Sequence, residues 1–269
     1  GGEKMPATPS INADGAEITA KLDRPDEAES AAFYVSEGAV GEIYSPRRYF
    51  RKFTMEKDGG VFRVTADLPI CEKAMAFVKI VYKNGVSLCS VPVDVKCDPN
   101  KKPAPQTCLD DYSGELNWAN QGGIVKVDPI YKDVEFFKTE LDGKPALSYR
   151  YKNPSWTLKT YSFITYKPYD TEFRLKKGGK LCFSIMLDKN ATIAVDLMRS
   201  PGSCTARMYK TILKNTGVDG VQSFELTEKT FEKEGKQPDF STIDCINING
   251  TLGPDTDIKV PILSIIAYK

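Results

Sequence analysis

The chain has 269 residues, with 37 Lys and Arg against 36 Asp and Glu for a net charge of +1. No charge excess therefore draws it to nucleic acid or to an anionic membrane surface. It contains no histidine, which removes the Ser-His-Asp triad, the Cys-His pair, His-ligated zinc and imidazole acid–base chemistry. A length near twice that of a common domain predicts two domains.

The N-terminal part reads as short strands. Ala16–Leu22 alternates apolar and polar residues, and Ala31–Val35 is a compact apolar run. Asp58-Gly59-Gly60 joins Tyr49–Met55 to Val61–Ala66 as a hairpin turn. Asn84-Gly85 joins Ala76–Lys83 to Val86–Val95 and is the strongest hairpin signal in the chain. So many strands in so short a stretch predict an immunoglobulin- or fibronectin-like sandwich over residues 1–97. Residues 98–106 are polar, Pro-rich and without periodicity, which predicts a semi-extended linker.

Residues 107–269 carry longer strand candidates: Ala146–Tyr151, Tyr161–Tyr166, Lys180–Leu187, Thr192–Met198, Thr205–Leu213, Gln222–Leu226, Thr242–Ile248 and Ile262–Tyr268. Only Thr227–Glu234 reads as a helix, with Thr227 at its N-cap. That pattern predicts a larger jelly-roll sandwich, so the fold class is all-β throughout. No apolar run approaches the ~20 residues of a membrane span. The chain opens Gly1-Gly2-Glu3-Lys4 without an initiator Met or a signal peptide, as a piece of a longer secreted protein would.

Seven cysteines, at 71, 89, 97, 108, 182, 204 and 245, form no CxxC pair, so zinc-ribbon and thioredoxin-like sites have no support. Their dispersed, mostly apolar contexts read as buried thiols. Two disulfides stay open, Cys71–Cys97 across the Asn84-Gly85 hairpin and Cys97–Cys108 across the linker. Strict hairpin register sets Cys71 opposite Asp98, which turns Cys97 to the other face unless a bulge intervenes.

The GxSxG, SxxK, GxxxxGK[ST] and GxGxxG motifs are all missing from the sequence, which removes the common serine-nucleophile and phosphate-cradling sites. A glycosidase-type carboxylate pair cannot be picked from 36 acids. Asp244–Gly250 hints at a calcium loop, but the EF-hand register puts Cys245 first and Thr256 twelfth.

What remains is a binding face. Residues 112–173 hold 13 of the 28 aromatics and both tryptophans. Trp and Tyr rings stack on the C–H faces of sugars, and Asn117, Asn120, Gln121, Arg150, Asn153 and Asp170 supply hydroxyl partners nearby. The stacking candidates are Trp118, Trp156, Tyr161, Tyr166 and Tyr169, with Arg150 and Asn153 as polar partners. Core packing is the competing use of these rings.

Cys108-Leu-Asp-Asp-Tyr-Ser-Gly-Glu-Leu-Asn-Trp118, followed by Gly122-Gly123, resembles the opening of galactose-binding-like jelly-roll modules. Phe224–Phe231 followed by Asp239–Ile248 is similar to their closing pattern. The resemblance implies a non-catalytic carbohydrate-binding module over about 107–269. It also implies a structural Ca2+ near the first strand, at Asp110 or Asp111. Tyr44–Arg51, Phe62–Pro69 and Ala76–Tyr82 more faintly resemble the immunoglobulin-like extension of bacterial esterases of the dienelactone-hydrolase and PhoPQ-activated types. Together these imply a secreted or cell-surface accessory region whose partners are a polysaccharide or oligosaccharide and the catalytic domain of a longer parent chain. The competing reading is a structural or protein-binding, adhesin-like surface module.

Overall fold

The computed structural model describes residues 4–40, 48–113, 134–151, 159–187, 192–198, 207–252 and 262–268. The chain divides into two compact units, Gly1–Pro103 and Ala104–Lys269. Each is all-β, as expected: the longest helical segment among the described residues is the four-residue Glu228–Phe231 turn.

The first unit holds β1 (Ser10–Asp14), β2 (Glu17–Lys21), β3 (Ala28–Glu37), β4 (Arg51–Asp58), β5 (Val61–Thr65), β6 (Lys73–Tyr82), β7 (Ser87–Cys89) and β8 (Val93–Lys96). Its path runs β1-β2-β5-β4-β3-β6-β7, with β8 also on β6. β4 joins the two layers, pairing with β3 through Arg51–Met55 and with β5 through Glu56–Asp58. Strand alternation builds the core. β6 turns Ala74, Ala76, Val78, Ile80 and Tyr82 inward, against Phe33 and Val35 of β3 and Ile18 and Ala20 of β2. Both predicted hairpins form, and Gly85 takes φ +82° in the Asn84-Gly85 turn, where a glycine is favoured. The predicted run Val86–Val95 is instead two strands, because Pro92 has no N–H for the ladder. Ser90 bridges the break, its N–H donating to Val78 O at 2.8 Å and its Oγ accepting from Val78 N at 3.0 Å.

The second unit holds β9 (Gln106–Asp110), β10 (Val134–Leu141), β11 (Lys144–Tyr151), β12 (Lys159–Thr165), β13 (Lys180–Met186), β14 (Thr192–Met198), β15 (Arg207–Lys214), β16 (Val221–Thr227), β17 (Cys245–Leu252) and β18 (Ile262–Tyr268). A six-stranded sheet runs β10-β11-β18-β13-β16 with β9 on β18, and a four-stranded sheet runs β12-β17-β14-β15. Leu181, Phe183 and Ile185 of the larger sheet share one core with Ile193, Val195, Leu197, Ile246 and Ile248 of the smaller. The predicted helix at Thr227–Glu234 is a single short turn. Thr227 and Thr230 close a capping box around it, but Glu234 and Gly235 take φ of +55° and +74°, which stops propagation.

Ile193 and Ile212 lie on adjacent strands with opposite parity: Ile193 has no exposure and Ile212 is 53% exposed. Ile193→Ala should therefore cost about 2–5 kcal/mol and Ile212→Ala less than about 1 kcal/mol. Urea denaturation of the two variants checks the parity; equal losses would overturn it.

Candidate binding face

The four-stranded sheet has two dissimilar faces. Ile193, Val195 and Leu197 of β14, Ile246 and Ile248 of β17 and Leu213 of β15 all point into the core. The intervening positions must then lie on the outer face. In register they form a row across the strands: Ile164 pairs with Asn247, Asn247 with Asp196, and Asp196 with Lys210. The next row out is Ser162, Asn249, Ala194 and Ile212.

This outer face is polar, yet much of it is enclosed. Asp196 has no exposure and Asn247 has 4%, while Lys210 and Ile212 at the β15 edge are exposed. A carboxylate taken from water is costly unless donors replace the solvent. The register sets an amide, Asn247, and an ammonium, Lys210, on the strands that flank Asp196, at cross-strand spacing of about 5 Å between Cβ atoms. Sequence reading missed all three residues. The signal was present in Ile246-Asn247-Ile248-Asn249 and in Val195-Asp196-Leu197, where polar residues fill the outward slots of otherwise apolar strands.

The sequence-predicted residues that the structure describes fall in different parts of the second unit. Trp118, Trp156 and Asn153 lie outside the described residues. Tyr161 occupies the β12 position opposite Gly250, whereas Arg150 lies in the other sheet, opposite Glu135 of β10. Tyr166 is a correction. Its exposure is 4%, so its ring is not offered to a ligand in solution. It ends up inside because β12 stops at Thr165 and the chain turns through Lys167–Tyr169. Tyr169, half-buried in that turn, accepts from Arg174 at its carbonyl at 2.6 Å. Asp170 has no exposure, and its Oδ1 accepts from Glu172 N at 2.9 Å to hold the turn. Tyr112, also in the aromatic-rich segment, is a core residue, and burial pushes its phenol well above the usual tyrosine range.

The carboxylates expected to hold calcium are engaged otherwise. Asp110 is buried, its Oδ1 accepts from Tyr112 N at 2.9 Å, and its Oδ2 lies 3.9 Å from the Lys167 ammonium. Lys167 also donates to Leu109 O and lies 5.6 Å from the Phe173 ring centroid. Asp111 accepts from the Ser113 hydroxyl at 2.6 Å and from Ser113 N at 3.0 Å, which lowers its pKa below the usual carboxylate value. Among the described residues no three His, Cys, Asp or Glu side chains are grouped to hold a metal.

No protein-family model matches the chain, and no curated protein does. Several solved structures are similar to it. A family 11 carbohydrate-binding module from Clostridium thermocellum, in complex with a β-1,3-1,4-mixed-linked tetrasaccharide, is 17% identical. That match covers 60% of this chain and 94% of the module, with a TM-score of 0.39. The family 11 module of the cellulosomal cellulase Lic26A-Cel5E from the same organism is 16% identical over 62% of this chain and 95% of its own, at 0.39. The SGBP-B protein of the Bacteroides ovatus mixed-linkage glucan utilization locus, in complex with a heptasaccharide, is 9% identical. It covers 94% of this chain and 48% of its own length, with a TM-score of 0.19. No helix among the described residues is long and apolar enough to cross a membrane.

The Asp110–Lys167 pair generates a prediction. Lys167→Met leaves a buried carboxylate facing an apolar group and should cost about 3–5 kcal/mol. Adding Asp110→Leu should recover most of that loss, as read from the urea midpoints of the two single variants and the double variant. A double variant no better than Lys167→Met would show that the pair is not the coupling element.

Proposed function

We propose that the second unit is a non-catalytic polysaccharide-binding module, and that the chain is an accessory region of a secreted carbohydrate-active enzyme, most naturally an esterase. The observation that carries this reading is the enclosed polar row Asn247–Asp196–Lys210 on the outside of the four-stranded sheet. A sheet with only a structural role keeps its polar outer positions in water. A buried polar group on an outer face is the informative exception. Lys210, the exposed end of that row, offers a donor to hydroxyls, while Asp196 and Asn247, at 0% and 4% exposure, back it from within.

Two features of the sequence support the same conclusion. The rings that would stack on sugar are concentrated in 112–173, with Trp118, Trp156 and Tyr169 as the proposed stacking residues and Asn153 as a polar partner. The chain also lacks histidine and the common nucleophile motifs, which suits a module that binds without reacting.

The test is affinity electrophoresis of the intact chain in gels containing soluble plant and microbial polysaccharides in turn. At least one should retard it. Trp156→Ala should weaken that retardation about five- to hundredfold, taking base–aromatic stacking of 1–3 kcal/mol as the guide, with the melting temperature within a few degrees of the parent. Lys210→Ala should also weaken it, by less than about tenfold. Migration unchanged in every gel would overturn the proposal. Retention that Trp156→Ala leaves intact would overturn the stacking assignment.

A further inference from the structure

Two thiols meet at the edge of the first unit. β6 and β8 pair antiparallel from Lys73↔Lys96 to Ala76↔Val93, and the ladder continues as Cys97 N donates to Glu72 O at 3.1 Å. By strict alternation Cys71 would then face away from Cys97. It does not, because the chain bends through Ile70–Glu72 before β6 begins, which releases Cys71 from the strand's parity. The Cys71 and Cys97 side chains are therefore neighbours, since Cys97 pairs with Glu72, the residue after Cys71. Cys71 Sγ also donates to Lys73 O at 3.1 Å, and Cys97 Sγ to Val95 O at 3.7 Å. Both pack on the same core, Cys97 buried and Cys71 half-buried. A surface recess lined by Ala66, Leu68, Pro69, Lys96 and Asp98 reaches Cys97.

We propose that Cys71 and Cys97 are a built-in oxidation site that closes to an intramolecular disulfide when the protein meets a disulfide oxidant. The chemistry is thiol–disulfide exchange. Cys71, the more accessible, loses its proton and attacks one sulfur of an oxidant RSSR, releasing RS⁻ and leaving a mixed disulfide on Cys71. Cys97 then gives its proton to solvent and attacks Cys71 Sγ, releasing the second RS⁻. Two protein thiols are oxidised by two electrons, and one RSSR is reduced to two RSH. The order follows from the environment: the adjacent Cys71 thiol, with burial, holds the Cys97 thiol protonated well above its ordinary range. Other described thiols lack this geometry. Cys108 and Cys182 pair with Ile266 from opposite sides, which sets them two strand spacings, about 10 Å, apart.

The bond would close a loop spanning all of β6, the Asn84-Gly85 hairpin and all of β7 and β8. An oxidising compartment would make it permanent, and a reducing one would leave it open.

The experiment incubates the intact reduced chain with excess oxidised glutathione, then counts thiols under denaturing conditions and maps peptides. The count should fall from seven to five, with Cys71- and Cys97-containing peptides linked to each other. The first unit's melting transition should rise by on the order of 10 °C. Cys71→Ser and, separately, Cys97→Ala should each abolish both the loss of two thiols and the shift. Cys71→Ser changes a half-buried position, so it remains readable even where Cys97→Ala folds poorly. Glutathione adducts without a linked peptide, a different linked pair, or seven thiols remaining would each overturn the proposal.

Discussion

A strand that turns Ile193, Val195 and Leu197 into a core has no choice about where it sends Asp196. The period of two in β14 sets the carboxylate on the outer face, and pairing with β17 and β15 sets Asn247 and Lys210 on either side of it. Slipping either ladder by one residue would drive the carboxylate among Ile246, Ile248 and Leu213, where no donor replaces its water. The same register that buries the hydrocarbon therefore also assembles the polar row. Core stability and candidate binding chemistry are two faces of one pairing.

The corner after β12 works on a related constraint. Thr165, Tyr166, Lys167 and Asp170 are all buried around a single turn, so each polar atom there needs a protein partner. Thr165 Oγ1 accepts from Lys167 N at 3.2 Å, Asp170 caps Glu172, and the Lys167 ammonium reaches across to the end of β9. The result ties β9, whose Thr107 hydroxyl donates to Glu172 O at 3.0 Å, to the turn. It also sets Asp110, at the end of β9, beside the Lys167 ammonium.

Much of the fold was legible because hairpin chemistry and alternation are local. Asp58-Gly59-Gly60, Asn84-Gly85 and runs such as Lys180–Met186 define their strands without help from the rest of the chain. β1 and β9 were not legible: Ser-Ile-Asn-Ala-Asp is too polar for an apolar period, and Gln106–Asp110 follows a Pro-rich stretch that masks its start. The binding candidates fared worse for a physical reason. An aromatic residue near a turn signals either a platform or a core, and only tertiary burial separates the two, as Tyr166 shows. Asn247 and Asp196 carried a real signal, but a polar residue in an alternating strand ordinarily means water on that side, and enclosure of an outer face is not a local property.

The central claim is that sugar is recognised at the outside of the four-stranded sheet. Its most direct test is an NMR titration of the isotope-labelled chain with an oligosaccharide of the polysaccharide that retards it, following the Asn247 side-chain amide and the backbone amides of β14, β15 and β17. The account predicts saturable shifts centred on Ala194, Asp196, Asn247 and Lys210, with β13 and β16 little changed. Shifts centred on Cys182, Ser184, Ser223 and Glu225 of the opposite sheet, or on the first unit, would contradict it.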